Sequence, residues 1–568
     1  MTRLAIAAVV AVMAAGTARG QQLSPADYYF ALLDAQAAQA EGRFQEAQAL
    51  WTRLAEVTPD NATLWLRLAE TRVALGRSGE ALVAGARAYE LGLPMPANRV
   101  AYRIAAGYSG AGQVDSARAW LERALATRYS RRESIQRDNA FAALRAQPDF
   151  AAIAGIAPAG LTRDDGWRYD VAFLVMEIRR LRGHLGGRPL PQALFTAAEA
   201  LNADIPHLTD DQIALGLIHI VALIGDGHSW LSNTGATPAE GAAVEVNTRI
   251  LPVQFWLFED GMYIIDAAEA ERRWIGSRVV RIGDLSVDEV VSRLTPYVPR
   301  DNAQGVKWMG VVVYLPRLFV LQGIGATDDP RSARLVLEDR AGQRHEVTLE
   351  GGEHRLSRTL MAREDAQNQP LHLRHRDRFY WAAEVPGRDA VYFQFNAVQN
   401  AAESASIAQF ADTLRQLLET SRASNLVVDV RHNGGGNNTL VRPLLRTMVW
   451  FEMASPEHQI YVITGRETFS AAQNFVNRIE RLANPIVVGE PSSSKPNFVG
   501  ESSSLTLPYS GLKGSLSNRY WQDSDDGDDR AWIAPHIPVT MTADDYFGNR
   551  DPVIEAIWEV IARKRDPA

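Results

Sequence analysis

At 568 residues the chain exceeds what a single hydrophobic core supports, so several domains are expected. Its formal net charge of -8 gives no basic footprint and excludes nucleic acid as the obvious partner. The absence of Cys excludes disulfide scaffolds, thiolate metal sites and cysteine nucleophiles.

Residues 1–20 have the pattern of a secretory signal peptide. Arg3 precedes the apolar run 4–15, and Ala18 and Gly20 stand at -3 and -1 to a cut before Gln21. The run is short for a membrane span, and no later stretch approaches the ~20 apolar residues a span needs. Export to the periplasm or beyond is expected, with no membrane span after signal removal.

Residues 21–150 are Ala-rich, helical and repetitive. Gly42-Arg-Phe-Gln-Glu-Ala47 is echoed at 76–81 and 112–117, so the glycines recur at intervals of 34 and 36 (76 − 42 and 112 − 76). Gly permits the turn between two helices, and the small Ala lets the pair approach closely. The region resembles tetratricopeptide repeats, with about three units. Two roles stand open: a concave surface for a peptide or protein partner, or a helical cap on the next domain.

After an Ala/Gly/Pro linker at 151–161, helical periodicity covers 169–181, 193–201 and 210–223 within a segment spanning 165–240. The third helix ends in Gly225-Asp-Gly-His228, which presents His228 on a glycine-flanked turn. His219 lies inside the apolar helix and reads as a core residue. From 244 to 350 the texture is strand-rich, with hairpins at 251–265 and 333–349. The strand–turn–helix unit at 275–294 resembles the closing part of a PDZ domain.

From 371 to 568 strands and helices alternate, which argues an α/β layer with parallel strands. A buried strand at 425–430 runs into Asn433-Gly434-Gly435-Gly436, where successive N–H groups can surround an anion. Neither a Lys-Ser/Thr pair nor a Gly-x-Gly-x-x-Gly spacing follows, so an oxyanion hole fits better than a phosphate site. Gly434 or Gly435 would give one donor and Ala471 the other. A second strand, 460–464, leads to Ser470 and a helix over 471–483. Ser470 is either a helix N-cap or a nucleophile at a strand-to-helix turn.

Together, Asp429-Val-Arg-His-Asn-Gly-Gly, Ser470-Ala-Ala-Gln and Val488-Gly-Glu-Pro-Ser-Ser-Ser-Lys495 resemble the tail-specific (C-terminal-processing) serine proteases. The resemblance covers 169 to the C-terminus. It implies a multidomain chain: all-α repeats, then an α/β core of the ClpP/crotonase type with a small, degenerate PDZ-like module. It further implies an exported serine endopeptidase acting on polypeptides without a cofactor or metal. Lys495 matches the family's lysine base in its sequence spacing from the serine. His228 is similar to the histidine base of the tricorn-type branch, to which the retinoid-binding-protein-like relatives also belong. A lysine must lose about three pKa units to act as a base near neutrality, whereas histidine needs little tuning. A carboxylate orienting the base is open among Asp523, Asp525, Asp526, Asp528, Asp529, Glu490 and Glu501. The alternative is a catalytically inactive binder of peptides or apolar ligands on the same fold.

Overall fold

In the C-terminal half of the chain, β-branched and aromatic runs bury both faces of a sheet, and that sheet positions the candidate site. The computed structural model describes residues 23–565 apart from 93–96, 184, 188, 355–359, 361–368 and 402–404. The signal segment expected at 1–20 lies outside the described residues. The chain divides into two units, Met1–Ile156 and Ala157–Ala568.

The first unit is built from consecutive helices: Pro25–Ala40, Phe44–Val57, Ala62–Ala74, Ser78–Glu90, Ala97–Gly110 and Val114–Ala126. Gly42, Gly76 and Gly112 sit between the partners of a pair at φ 75, 72 and 73, where a side chain would be strained. Ala35, Ala38, Ala47 and Ala84 are fully buried, so helix backbones approach closely around Trp51, Leu54, Leu64 and Leu68. Shorter helices, Arg132–Arg137 and Phe150–Ala154, add Ile135 and Phe150 to a second cluster with Trp120 and Leu121.

Among the described residues the second unit holds three sheets. The central one has six strands in the order Ile537–Pro538, Ile486–Gly489, Gln459–Thr464, Asn425–Asp429, Ala390–Phe395 and Tyr380–Glu384. Pairing is parallel throughout, except for the last pair. Alternation decides the faces. Leu426, Val428, Ile460 and Val462 pack with helices Ile407–Ser421, Arg442–Ala454 and Ala471–Leu482 on one side. Val427, Tyr461 and Ile463 pack with the terminal helix Pro552–Arg565 on the other.

The second sheet comprises Val253–Phe258, Gly261–Ala267, Arg278–Ile282, Leu285–Ser286, Ser332–Glu338 and Arg344–Glu350. Its core is shared with the helices Arg163–Arg182, Gln192–Asp204 and Asp210–Ala222. Between its strands the chain inserts a π-helix, Val306–Tyr314, which the sequence reading did not foresee. The third sheet is antiparallel, Trp230–Ser232, Lys513–Gln522 and Asn497–Thr506. Its long hairpin was also missed, because Ser and Gly dilute the strand signal over 497–522.

Candidate active site

The strand Gln459–Thr464 ends in a loop that is stitched to the neighbouring strand end. Thr468 Oγ1 donates to the Val430 carbonyl (2.9 Å), and the Phe469 N–H donates to the Asn433 carbonyl (3.0 Å). The Ser470 N–H donates to Ser494 Oγ (3.0 Å). These bonds hold Ser470 at φ 56, ψ -123, a conformation that costs a non-glycine residue of order 1–3 kcal/mol. Its hydroxyl makes no capping bond to the helix Ala471–Leu482. The N-cap reading is thereby corrected: a cap needs extended backbone to turn its oxygen back onto the helix N–H groups, and Ser470 does not have it. The serine instead lines an open cleft of about 510 Å³.

His228 lines the same cleft. Its turn is fixed by the buried Asp226 carboxylate, which accepts from the N–H groups of His228 (2.9 Å) and Ser229 (2.6 Å) and pairs with Arg182 (3.1 Å). The imidazole stacks on Phe469 (4.3 Å between centroids) and Phe498 (5.2 Å). Neither ring nitrogen has a hydrogen-bond partner among the described residues. Burial pushes its pKa down to about 4, against a weak opposing pull from Asp226, so the ring is neutral at pH 7 with a lone pair unused.

Lys495 is not brought to this cleft. It lines a separate cavity of about 220 Å³ with Asp226, Asp301 and Asp528, and Phe498 lines both spaces. Asp301 is pushed up to about 7 by burial and by Asp226, with Lys495 pulling the other way. The structure therefore separates the two candidate bases: one shares a cleft with the serine and the other faces buried carboxylates.

The glycine run needs a second correction. The Gly435 N–H donates to Asn433 Oδ1 (2.9 Å), which removes it as an oxyanion donor. Gly435 serves by lacking a side chain. At φ +107, a Cβ there would stand 2.7 Å from the Ser470 Cβ and 2.9 Å from the Ala471 nitrogen. Gly434 does not line the cleft, whereas Gly436 and Ala471 do. Among the described residues no hydrogen bond is seen from the Ala471 or Gly436 N–H groups, and both residues line the cleft.

Of the carboxylates considered, Asp523 binds Arg478 (2.8 Å), Asp528 binds Arg530 (2.8 Å) and Glu490 binds Arg466 (2.5 Å). Glu501, at φ 60, is the one among these that lines the cleft. The sequence reading missed Phe498, Arg519 and Trp521 from the long hairpin and Asn474 one helical turn after Ser470. Asn474 lies in the first turn of the helix that follows the serine, close to it in sequence.

No family model matches the chain, and no curated protein matches it. Solved structures do. A mutant of CPAF aligns with a TM-score of 0.51 at 11% identity, covering 71% of this chain and 98% of that chain. Mature CPAF complexed with lactacystin aligns at 0.48, with 11% identity over 70% of this chain and 99% of that one. The photosystem II D1 C-terminal processing protease aligns at 0.31, with 12% identity over 67% and 94%. What the chain shares with CPAF is the fold, a multidomain arrangement of helices and sheets.

Proposed function

We infer that this chain is a serine peptidase whose nucleophile is Ser470 and whose general base is His228. The observation that carries the reading is a strained serine without a capping bond in the same cleft as a neutral, unpartnered imidazole. In this reading the imidazole takes the Ser470 proton as Oγ attacks a peptide carbonyl carbon. The N–H groups of Ala471 and Gly436 hold the oxyanion. The imidazolium returns its proton to the leaving amine, and water then releases the acyl group. No cofactor enters these steps.

The sequence motifs shared with tail-specific proteases support polypeptides as substrates, in an exported, tail-specific enzyme. The helical pairs are proposed as a tetratricopeptide-like surface for a protein partner, and the strand-rich segment as a degenerate PDZ-like module. Among the described residues no helix is long and apolar enough to cross a membrane.

A fluorophosphonate probe tests the chemistry. Wild type is expected to label at Ser470 and to cleave an unfolded polypeptide, and Ser470→Ala to lose both. A folded wild type that neither labels nor cleaves would favour the binding-protein alternative.

A further inference from the structure

Next to the Ser470 cleft lies a second, smaller space of about 240 Å³ that the mechanism leaves unused. The two spaces share His228 and Ser502, and Phe469, which precedes the nucleophile, walls the smaller one. The other apolar walls are Trp230, Pro299, Trp308 and Met309. Its size is below the roughly 300–1,000 Å³ of small-molecule sites and suits one side chain rather than a whole ligand.

Three features show that this slot is built rather than left over. Trp308 and Met309 come from the π-helix Val306–Tyr314, where Leu315 N–H bonds back to the Gly310 carbonyl (2.9 Å). Such i→i+5 windings are rare and frequent at functional sites. Secondly, the Phe469 ring packs edge-on against Trp308 (5.9 Å) and stacks on His228 (4.3 Å), so one ring braces both slot and base. Thirdly, Gly227 keeps the wall thin: a Cβ there would come within 2.9 Å of the Phe469 ring. Of the charged groups lining the slot, Arg300 is engaged by backbone carbonyls and Asp301 is held through one oxygen, its buried Oδ2 having no hydrogen-bond partner among the described residues. Arg300 donates to the carbonyls of Thr295 (2.7 Å) and Val298 (2.8 Å), and Asp301 accepts from the Gly227 N–H (2.8 Å).

We propose that this slot is the specificity subsite of the Ser470 site, and that it takes a bulky apolar side chain, aromatic above all, from a residue flanking the scissile bond. The proposal rests on the peptidase reading. Aromatic walls contact an inserted ring over both faces and edges, and burying it removes its apolar surface from water. A pocket of this kind discriminates by size, from about tenfold to a few hundredfold in kcat/KM.

The test is cleavage profiling of the full chain on peptides that differ at the residues flanking one scissile bond. Phe, Leu or Trp is expected to exceed Ala and Asp by at least about tenfold in kcat/KM. Met309→Trp, which fills the slot, is expected to bring the Phe-to-Ala ratio below about threefold, with circular dichroism and melting establishing that the variant is folded. An enzyme that labels at Ser470 but cleaves Phe and Ala peptides within twofold overturns the slot and leaves the peptidase reading intact. If Ser470 proves inert, calorimetry of N-acetyl-phenylalaninamide against N-acetyl-alaninamide still decides the slot. Selective binding of the aromatic amide that Met309→Trp abolishes supports it, and equal or absent binding overturns it.

Discussion

In the proposed mechanism His228 is the base, and burial keeps it neutral. Phe469 and Phe498 stack on the ring, and among the described residues no carboxylate reaches its nitrogens. A base must be neutral, and with a pKa near 4 this one is neutral above that value. The acid limb of kcat/KM is therefore expected near pH 4 rather than at the ordinary histidine value of about 6.5, as a pH–rate profile would read. His228→Ala should cost about 10²–10⁴-fold in kcat/KM. Lys495→Ala should cost far less, because Lys495 lines another cavity. Equal losses, or the larger loss at Lys495, would return the base to lysine. Gly435→Ala places a methyl 2.7 Å from the Ser470 Cβ at a backbone angle that side chains avoid. It is expected to abolish labelling of Ser470 and to lower the melting temperature, since either the nest or the nucleophile turn must move.

Two buried polar assemblies hold the strand ends that carry the site. Arg431, just before the glycine run, forms a bidentate pair with Asp551 (2.9 and 3.0 Å) and binds Asp429 (2.9 Å). Asp551 also accepts from the N–H groups of Val553 and Ile554, so it starts the terminal helix while anchoring the nest. Removing one partner of such a pair leaves a buried charge uncompensated. Asp551→Ala is expected to destabilise by about 3–5 kcal/mol, read by chemical denaturation. The second assembly is a chain. His432 Nδ1–H donates to Glu467 (2.8 Å), which leaves His432 Nε2 to accept from His372 Nδ1–H (2.9 Å). Burial, with Arg376 and Arg431 close to His432 and Arg431 close to His372, holds both histidines well below their usual value. Their folded pKa lies under the unfolded one, so the stability they contribute is complete above about pH 6.5 and is lost as pH falls below it. His432→Gln should therefore show a shallower drop in melting temperature than wild type as pH falls from about 6.5 to about 4. Comparing the two proteins cancels the opposite trend from Asp170 and Asp301, whose raised values of about 6 and about 7 favour the folded state as pH falls.

At the scale of the whole molecule, among the described residues each buried apolar cluster draws on one unit only. Trp51 and Leu54, or Trp120 and Phe141, belong to clusters within Met1–Ile156. Those around Phe255, Phe393, Ile463 and Trp256 lie in the rest. A protein beginning at Ala157 is thus expected to fold with one cooperative melt and to keep Ser470 labelling. A truncated protein that is soluble but molten by near-ultraviolet circular dichroism would show that the helical unit is needed for the fold. Much of this organisation was legible in the sequence. Periodicity of apolar residues fixes helices and strands locally, so the echoes of Gly42 at Gly76 and Gly112, the buried strands at 425–430 and 460–464, and the loop bearing His228 all declared themselves. The composition over 306–314 and 497–522 carries no such period, and the π-helix and long hairpin there exist because neighbouring elements pack on them. By itself the sequence determined which residues could do chemistry: one serine, one nest of glycines and two bases. Only tertiary structure shows which of them line one cleft. That His228 lines the same cleft as Ser470 depends on packing between segments far apart in the chain, whereas Lys495, much nearer to Ser470 in sequence, lines a different cavity.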